Sequence, residues 1–272
     1  MIRETLRKFN IRLNKDLGQN FLPDKDALDR IIKAAEVSKD DLVLEIGTGI
    51  GTLTKPLAQK AGFVVSIEID AKLIPAAKEY LAGIDNIELI NEDVMKLDIP
   101  KILKKHPDFE SAKVVSNLPY CITTPLISKL LERENKFKLM VITIQKEVAK
   151  RIVSPPGGKE YGAFTVFVNY FAKPKIISYL SKTSFIPQPE VDSAILKLEV
   201  LARPSVGVKD EKLFFRVVRA AFNQRRKMLK NALQAAHIEW PADTDIDGKR
   251  RGETLSIQEF AKLSNLIKLT SF

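Results

Sequence analysis

Between Asp41 and about Val200 the chain alternates short β-branched runs with stretches of helical period, and this alternation narrows the possible folds more than any other feature. The strand candidates are Leu42–Ile46, Val64–Ile69, Ile87–Asn91, Lys113–Ser116, Leu139–Ile144, Lys175–Leu180 and Ala194–Val200. Helices are expected at Leu53–Lys60, Leu73–Leu81, Pro125–Arg133, Gln145–Ile152 and Ala163–Phe171. Strands joined through helices run parallel, so the expected fold class is α/β, with a doubly wound, mostly parallel, seven-stranded sheet. Such sheets bind ligands beyond the carboxyl ends of their strands. The residues just after each strand are therefore where chemistry is sought.

Past Arg203-Pro204 the pattern becomes helical only. Leu213/Phe214, Val217/Val218 and Ala221/Phe222 recur at helical spacing and form an inward stripe. Residues 1–203 are read as the α/β domain, with 1–40 as an N-terminal segment feeding it, and 204–272 as a small all-α domain. Ser154-Pro155-Pro156-Gly157-Gly158 reads as a loop, and Asn223-Gln224 as a point where the basic helix breaks.

The first strand runs into Glu45-Ile46-Gly47-Thr48-Gly49-Ile50-Gly51. Glycines at alternate positions let the backbone turn tightly and approach a ligand. The dinucleotide fingerprint wants a sixth-position glycine, here Thr52, and no Walker lysine follows Gly51. A bound pyrophosphate or triphosphate is thus disfavoured. An acid followed by Gly47, Gly49 and Gly51 suits S-adenosylmethionine, which carries a cationic amino-acid end and no phosphate. Glu68 closes the second strand, where an acid can accept from both ribose hydroxyls. Asp93 follows the third strand and can accept from an adenine amine, with Ile69 and Val94 as apolar walls.

After the fourth strand come Asn117-Leu118-Pro119-Tyr120. The Asn117 side-chain oxygen and the Leu118 carbonyl can accept hydrogens from a base's exocyclic amine; Pro119 stiffens the turn that presents them. Tyr120 offers a face for the base, and Phe185 is expected to form the other wall. Holding the amine's hydrogens localises a lone pair otherwise delocalised into the ring. No strong general base is needed, which matches the polar, unmotivated contexts of His106 and His237.

The net charge of +10 and a pI near 9.5 point to an anionic partner. From Glu211 to Lys230 seven basic residues (Lys212, Arg216, Arg219, Arg225, Arg226, Lys227 and Lys230) stand against one acid. The first fifteen residues carry five (Arg3, Arg7, Lys8, Arg12 and Lys15) against Glu4. A single cysteine, Cys121, excludes an intramolecular disulfide and a cysteine metal cluster, and no metal is expected. No apolar run approaches the roughly 20 residues of a membrane span. A monomer in the cytoplasm is the expectation.

Five segments in order, Gly18-Gln19-Asn20-Phe21-Leu22, Glu45 to Gly51, Asn117 to Tyr120, Phe185-Ile186-Pro187-Gln188-Pro189-Glu190-Val191-Asp192-Ser193 and Phe222-Asn223-Gln224-Arg225-Arg226-Lys227, resemble the ribosomal RNA adenine dimethyltransferases. The resemblance covers nearly the whole chain. It is nearest to the bacterial small-subunit branch, which dimethylates two adjacent adenosines in the 3′-terminal hairpin loop of 16S rRNA. It implies a Rossmann-like methyltransferase sheet with S-adenosylmethionine as cofactor, and 16S rRNA of a partly assembled 30S subunit as partner. It implies Asn20 and Leu22 over the methionine end of the cofactor, Gly47 beside it, Glu68 on its ribose, Asp93 on its adenine, and Asn117 between cofactor and base. Residues 204–272 become an RNA-binding domain, with Arg216, Arg219, Arg225, Arg226, Lys227 and Lys230 as candidate contacts. Cys121 departs from the asparagine expected in this branch. The rivals are the macrolide-resistance branch acting on 23S rRNA and a non-catalytic assembly or transcription factor on the same fold. DNA adenine methyltransferases usually carry Asp-Pro-Pro-Tyr instead.

Overall fold

Leu42–Ile46 is buried at all five positions, as a strand covered on both faces must be. This strand, β1, lies inside a seven-stranded sheet whose order is β3-β2-β1-β4-β5-β7-β6. The others are β2 (Phe63–Glu68), β3 (Ile87–Asn91), β4 (Ala112–Asn117), β5 (Phe137–Gln145), β6 (Ala172–Leu180) and β7 (Ser193–Val200). The pairs β1–β2, β2–β3, β1–β4 and β4–β5 are parallel, and β7 is antiparallel to β5. The computed structural model describes residues 2–14 and 17–267. Lys15, counted in the N-terminal basic cluster, lies outside them.

The helices in chain order are α1 (Ile2–Lys8), α2 (Lys25–Ala35), α3 (Thr54–Lys60), α4 (Ile74–Tyr80), α5 (Ile99–Leu103), α6 (Thr123–Leu130), α7 (Lys146–Ile152), α8 (Ala163–Phe171), α9 (Glu211–Asn223), α10 (Leu229–Ala235) and α11 (Ile257–Leu266). All seven expected strands are present, with ends shifted by at most three residues. The α1, α2 and α5 helices were not anticipated. Asp24 caps α2 through the Ala27 amide, and α2 buries Ala27, Ile31, Ile32 and Ala35 in the core that also holds Val43, Val115 and Val141. At about 1.5–3 kcal/mol for each fully buried large aliphatic side chain, that face anchors the segment leading to Asn20 and Leu22.

The chain forms two compact units, Met1–Ala149 with Lys175–Val200, and Lys150–Pro174 with Leu201–Phe272. The second unit therefore takes in residues 150–174 as well as the helical region expected from 204 onward. The apolar helix α8 explains this: Tyr170 stacks on Phe214 and Phe167 packs against Phe215, both on α9. That pairing draws α8 out of the α/β unit. Helix α9 buries Leu213, Phe214, Val217, Val218 and Ala221 of the expected stripe, leaves Phe222 half-buried, and ends at Asn223, where the sequence suggested a break. In the first unit, Asp41 accepts from Lys113 at 2.9 Å and Lys138 at 2.7 Å, tying the starts of β1, β4 and β5 together. No helix among the described residues is long and apolar enough to cross a membrane.

Candidate active site

The sheet order reverses at β1: the chain proceeds to β2 and β3 on one side, then returns to β4 on the other. A cleft opens at the carboxyl ends of these strands, where sheets of this kind bind their ligands. Its floor is the glycine loop. Gly47 donates to the Ile67 carbonyl at 2.8 Å, which bends the chain off β1 across the end of β2. Gly49 sits at φ +59, and a Cβ there would lie 2.7 Å from the Phe21 ring. The glycine is required both by its backbone and by the aromatic ring seated on it.

Glu68 is 5% exposed, and its two carboxylate oxygens accept from the amides of Gly49 (2.8 Å) and Asp70 (2.9 Å). Burial raises its pKa against the lowering effect of those amides. A carboxylate has about four lone-pair sites, so both oxygens keep acceptor capacity for a diol. Asp93 spends one oxygen on the Met95 amide at 2.9 Å. Beside these acids stand Val94, 4% exposed, and Ile69, 47% exposed for so large an apolar side chain. An exposed isoleucine next to a buried valine and an acid has the chemistry to take a flat base with an amine edge.

Beneath the loop, Glu45 is fully enclosed and accepts from Thr54 (2.6 Å) and Ser66 (2.7 Å). Burial pushes its pKa up to about 8. The cleft thus gathers Glu45, Glu68, Glu92 and Asp93, and no lysine or arginine lines it among the described residues. With Glu45 protonated at neutral pH, the acids left to face a ligand are Glu68, Glu92 and Asp93, a lining that suits a cationic ligand better than a phosphate. Among the described residues no cluster of His, Cys, Asp or Glu is placed to hold a metal.

The other side of the cleft is Asn117-Leu118-Pro119-Tyr120, which follows β4. The Asn117 amide nitrogen donates to the Asn20 carbonyl at 2.8 Å. Its Oδ1 is buried and has no hydrogen-bond partner among the described residues. An unsatisfied buried acceptor costs about 1–3 kcal/mol, so it marks a place where a donor is meant to arrive. The Leu118 amide is pinned to the Thr143 carbonyl at 3.1 Å, and Thr123 donates to the Pro119 carbonyl at 3.1 Å, so the turn is rigid. The Tyr120 hydroxyl is hydrogen-bonded to buried Ser193, which fixes the ring, and burial raises the phenol pKa.

The chain matches the family model for ribosomal RNA adenine dimethylase over residues 10–269. It belongs to the ribosomal RNA adenine dimethylase family. Among curated relatives, the ribosomal RNA small subunit methyltransferase A of Clostridium botulinum (strain Langeland) is 49% identical over 271 residues, covering 97% of this chain and 98% of that protein. The protein of the same name from Bacillus pumilus is 45% identical over 281 residues, covering 99% and 96%. Among solved structures, a dimethyladenosine transferase from Plasmodium falciparum superposes with a TM-score of 0.75 at 28% identity, covering 91% of this chain and 99% of that one. The 23S rRNA methyltransferase ErmE gives 0.71 at 26% identity, covering 90% and 99%. The chain is thus a methyltransferase of this family, with the Rossmann-like sheet that the resemblance implied, and its substrate class is ribosomal RNA.

Of the residues expected at this dimethylase site, Asn20, Leu22, Gly47, Gly49, Glu68, Ile69, Asp93, Val94, Asn117, Leu118, Pro119 and Tyr120 all line the one cleft. Phe185 does not. It immediately precedes Ile186, which bridges to Phe21, and the residue is 2% exposed within the hydrophobic core. The expected second stacking wall at Phe185 is corrected accordingly: the residue belongs to the hydrophobic core and does not line the cleft. Two residues went unforeseen. Gln19 donates to Asp70 at 2.8 Å while accepting from the Asn14 amide, tying the N-terminal segment to the end of β2. Gln19 lies within a quoted motif, but its partner is 51 residues away and has no local signature.

In the second unit the expected RNA contacts divide. Arg225 donates to the carbonyls of Lys159 (3.0 Å) and Tyr161 (3.2 Å) and pairs with Glu253 at 3.0 Å. Arg216 donates to the Ala236 carbonyl at 3.0 Å, at the end of α10. Both are engaged in holding the unit together. Arg219, Arg226, Lys227 and Lys230 are exposed and form no side-chain ion pair among the described residues.

Proposed function

We propose that the protein transfers methyl groups from S-adenosylmethionine to the exocyclic amine of two adjacent adenosines in the 3′-terminal hairpin loop of 16S rRNA. It acts as a monomer in the cytoplasm, on a partly assembled 30S subunit. The observation that carries this reading is the buried Oδ1 of Asn117, without a hydrogen-bond partner among the described residues, in a cleft lined by Glu68 and Asp93.

When bound, S-adenosylmethionine supplies a methyl group made electrophilic by a sulfonium. Glu68 would hold the ribose hydroxyls, Asp93 would accept from the adenine amine between Ile69 and Val94, and Asn20 and Leu22 would border the methionine end. Asn117 Oδ1 and the Leu118 carbonyl accept the two hydrogens of the target amine. This draws the nitrogen lone pair out of conjugation and aims it, a positioning effect of the kind that lowers a barrier most when reacting atoms are pre-aligned. Tyr120 stacks on the flipped base, returning about 1–3 kcal/mol against the few kcal/mol that flipping costs. The alkylated amine is acidic enough to lose its proton to water, so none of the acids of the cleft has to act as a strong base.

The 23S alternative rests on the fold shared with ErmE, at 26% identity. Relatives named as small-subunit enzymes match at 45–49% over nearly the whole chain, which favours the small subunit. Tritiated-methyl incorporation into undermethylated 30S and 50S particles tests the reading. Incorporation at two adjacent 16S adenosines is expected; incorporation only into 23S rRNA, or none with cofactor binding intact, overturns it.

A further inference from the structure

A second concavity lies wholly within the unit formed by residues 150–174 and 201–272. It is lined by the aromatic rings of Phe164 and Phe222 and by Arg151, Lys159 and Arg225, with Glu160 as the one acid. Its walls are rigid. The Arg225 guanidinium reaches the carbonyls of Lys159 and Tyr161, and the buried Tyr161 donates to the Leu255 carbonyl at 2.9 Å. Tyr161 packs its ring edgewise against Phe222 at 5.6 Å, and the Gly157 amide bonds the Glu253 carbonyl at 2.7 Å. The loop at 154–162 is thus stitched to the helical part of the unit. Arg225 is consumed in this stitching. Arg151 and Lys159 are exposed, and neither forms a side-chain ion pair among the described residues. Phe164 and Phe222 are half-buried, each leaving part of its ring to solvent.

We propose that this pocket binds one unstacked nucleotide of the substrate RNA, with its phosphate on Arg151 and Lys159 and its base against Phe164 and Phe222. The inference rests on the reading of the substrate as RNA. Aromatic faces beside free cations in a concave, pre-formed site are what single-stranded RNA recognition uses: the ring takes the base and the cations take the backbone. An isolated phosphate would use the cations and leave both rings idle. An apolar peptide would use the rings and bury the cations unpaired. A nucleotide alone uses the whole lining. The pocket is distinct from the methyl-transfer cleft in composition, since that cleft is lined by acids without lysine or arginine among the described residues and this one carries Arg151, Lys159 and Arg225.

The test compares wild type with Arg151→Gln, Lys159→Gln and Phe164→Leu. Binding to undermethylated 30S particles and to protein-free 16S rRNA is measured over a salt series, together with the KM and kcat of methyl transfer. Each glutamine variant is expected to flatten the slope of log K against log salt by about 0.7. Phe164→Leu keeps the apolar volume but removes the ring, and is expected to weaken binding about tenfold with the slope unchanged. All three should raise KM for the particle and leave kcat and cofactor affinity as in wild type. Lys159 is exposed, so Lys159→Gln remains informative even if Phe164→Leu perturbs packing. Unchanged affinity and slope in all three variants, with wild type active, would overturn the pocket alone. Weakened binding to particles but not to protein-free rRNA would overturn it in favour of a ribosomal protein. Failure of wild type itself to bind or methylate rRNA would instead sink the proposed function.

Discussion

The side-chain amide nitrogen of Asn117 donates to the main-chain carbonyl of Asn20 at 2.8 Å, and this bond sets which way the amide faces. A carbonyl oxygen only accepts, so the nitrogen must point at Asn20 and Oδ1 must point away, where it has no partner among the described residues. Asparagine is therefore needed at this position for two opposite reasons: one end donates to the protein and the other waits for the substrate. Asn117→Asp would set a carboxylate oxygen against the Asn20 carbonyl. Single-turnover methyl transfer is expected to fall ~100- to 1,000-fold in Asn117→Asp and Asn117→Ala, as for loss of one pre-aimed polar group at a reacting centre. RNA affinity should stay within about threefold, since one polar contact at the rim of a phosphate-dominated interface contributes little of it. Wild-type turnover in either variant would remove Asn117 from the acceptor role.

Gly49 meets Phe21 in the same cleft. Alanine at 49 would take a positive φ and place its Cβ 2.7 Å from the ring. The backbone alone costs about 1–2 kcal/mol, and the contact forces Phe21 to move. Gly49→Ala should lower stability by ~2 kcal/mol or more in urea titration and weaken cofactor binding. Adding Phe21→Ala should return only the steric part, so a double-mutant cycle must show a coupling of ~1 kcal/mol. Strict additivity would mean that the ring does not rest on the loop.

Much of this site is legible in sequence because a parallel sheet turns spacing into place. Glu45 to Gly51, Glu68, Asp93 and Asn117 to Tyr120 each lie at or just past the carboxyl end of a strand, and strands end along one edge whatever their separation in the chain. The residues whose roles were not foreseen are those whose meaning depends on a distant partner. Gln19 matters through Asp70, and Arg225 through the carbonyls of a loop 64 and 66 positions away. Phe185 looks like a site aromatic because of its motif, yet the Phe21–Ile186 bridge beside it leaves the ring in the core. Helix α2 carries a good amphipathic pattern and an Asp24 cap, but it precedes the first strand, outside the alternation that organised the rest.

Burial raises Glu45 from its ordinary 4.5 to about 8, so the folded protein keeps a proton that the unfolded chain gives up. Its contribution to stability is full below pH 4.5 and is lost as pH rises through 8. Glu45→Gln is neutral throughout and can still accept from Thr54 and Ser66. Without cofactor, wild type should lose stability relative to Glu45→Gln between pH 5 and 8.5, by a few kcal/mol in urea titrations. Parallel pH profiles for the two proteins would mean that Glu45 is ionised in the native state.

Asp41 runs the other way. Burial alone would raise it, but hydrogen bonds from Lys138, Lys113 and the Ser38 amide outweigh burial and hold it at about 2, below its ordinary 3.8. The stabilisation, about 2 kcal/mol, is present above pH 4 and disappears as pH falls through 2. Asp41→Asn should be less stable than wild type at pH 6, with the gap narrowing as acid is added. A gap that stays constant from pH 6 to pH 2 would show that Asp41 titrates normally.

Arg225, Arg226 and Lys227 look equivalent in sequence and should behave differently in solution. Arg225→Gln removes donors to two carbonyls and to Glu253, some of them part-exposed, so a loss of ~2 kcal/mol is expected, seen as a lower melting temperature. The double variant Arg226→Gln/Lys227→Gln removes only exposed charge. It should melt as wild type does while flattening the salt dependence of rRNA binding by about 1.4–1.8 in slope. Arg225→Gln, measured where it remains folded, should change that slope by less than one removed phosphate contact would. If instead all three substitutions reduce the slope equally and none lowers the melting temperature, Arg225 faces RNA and its carbonyl contacts contribute little to stability.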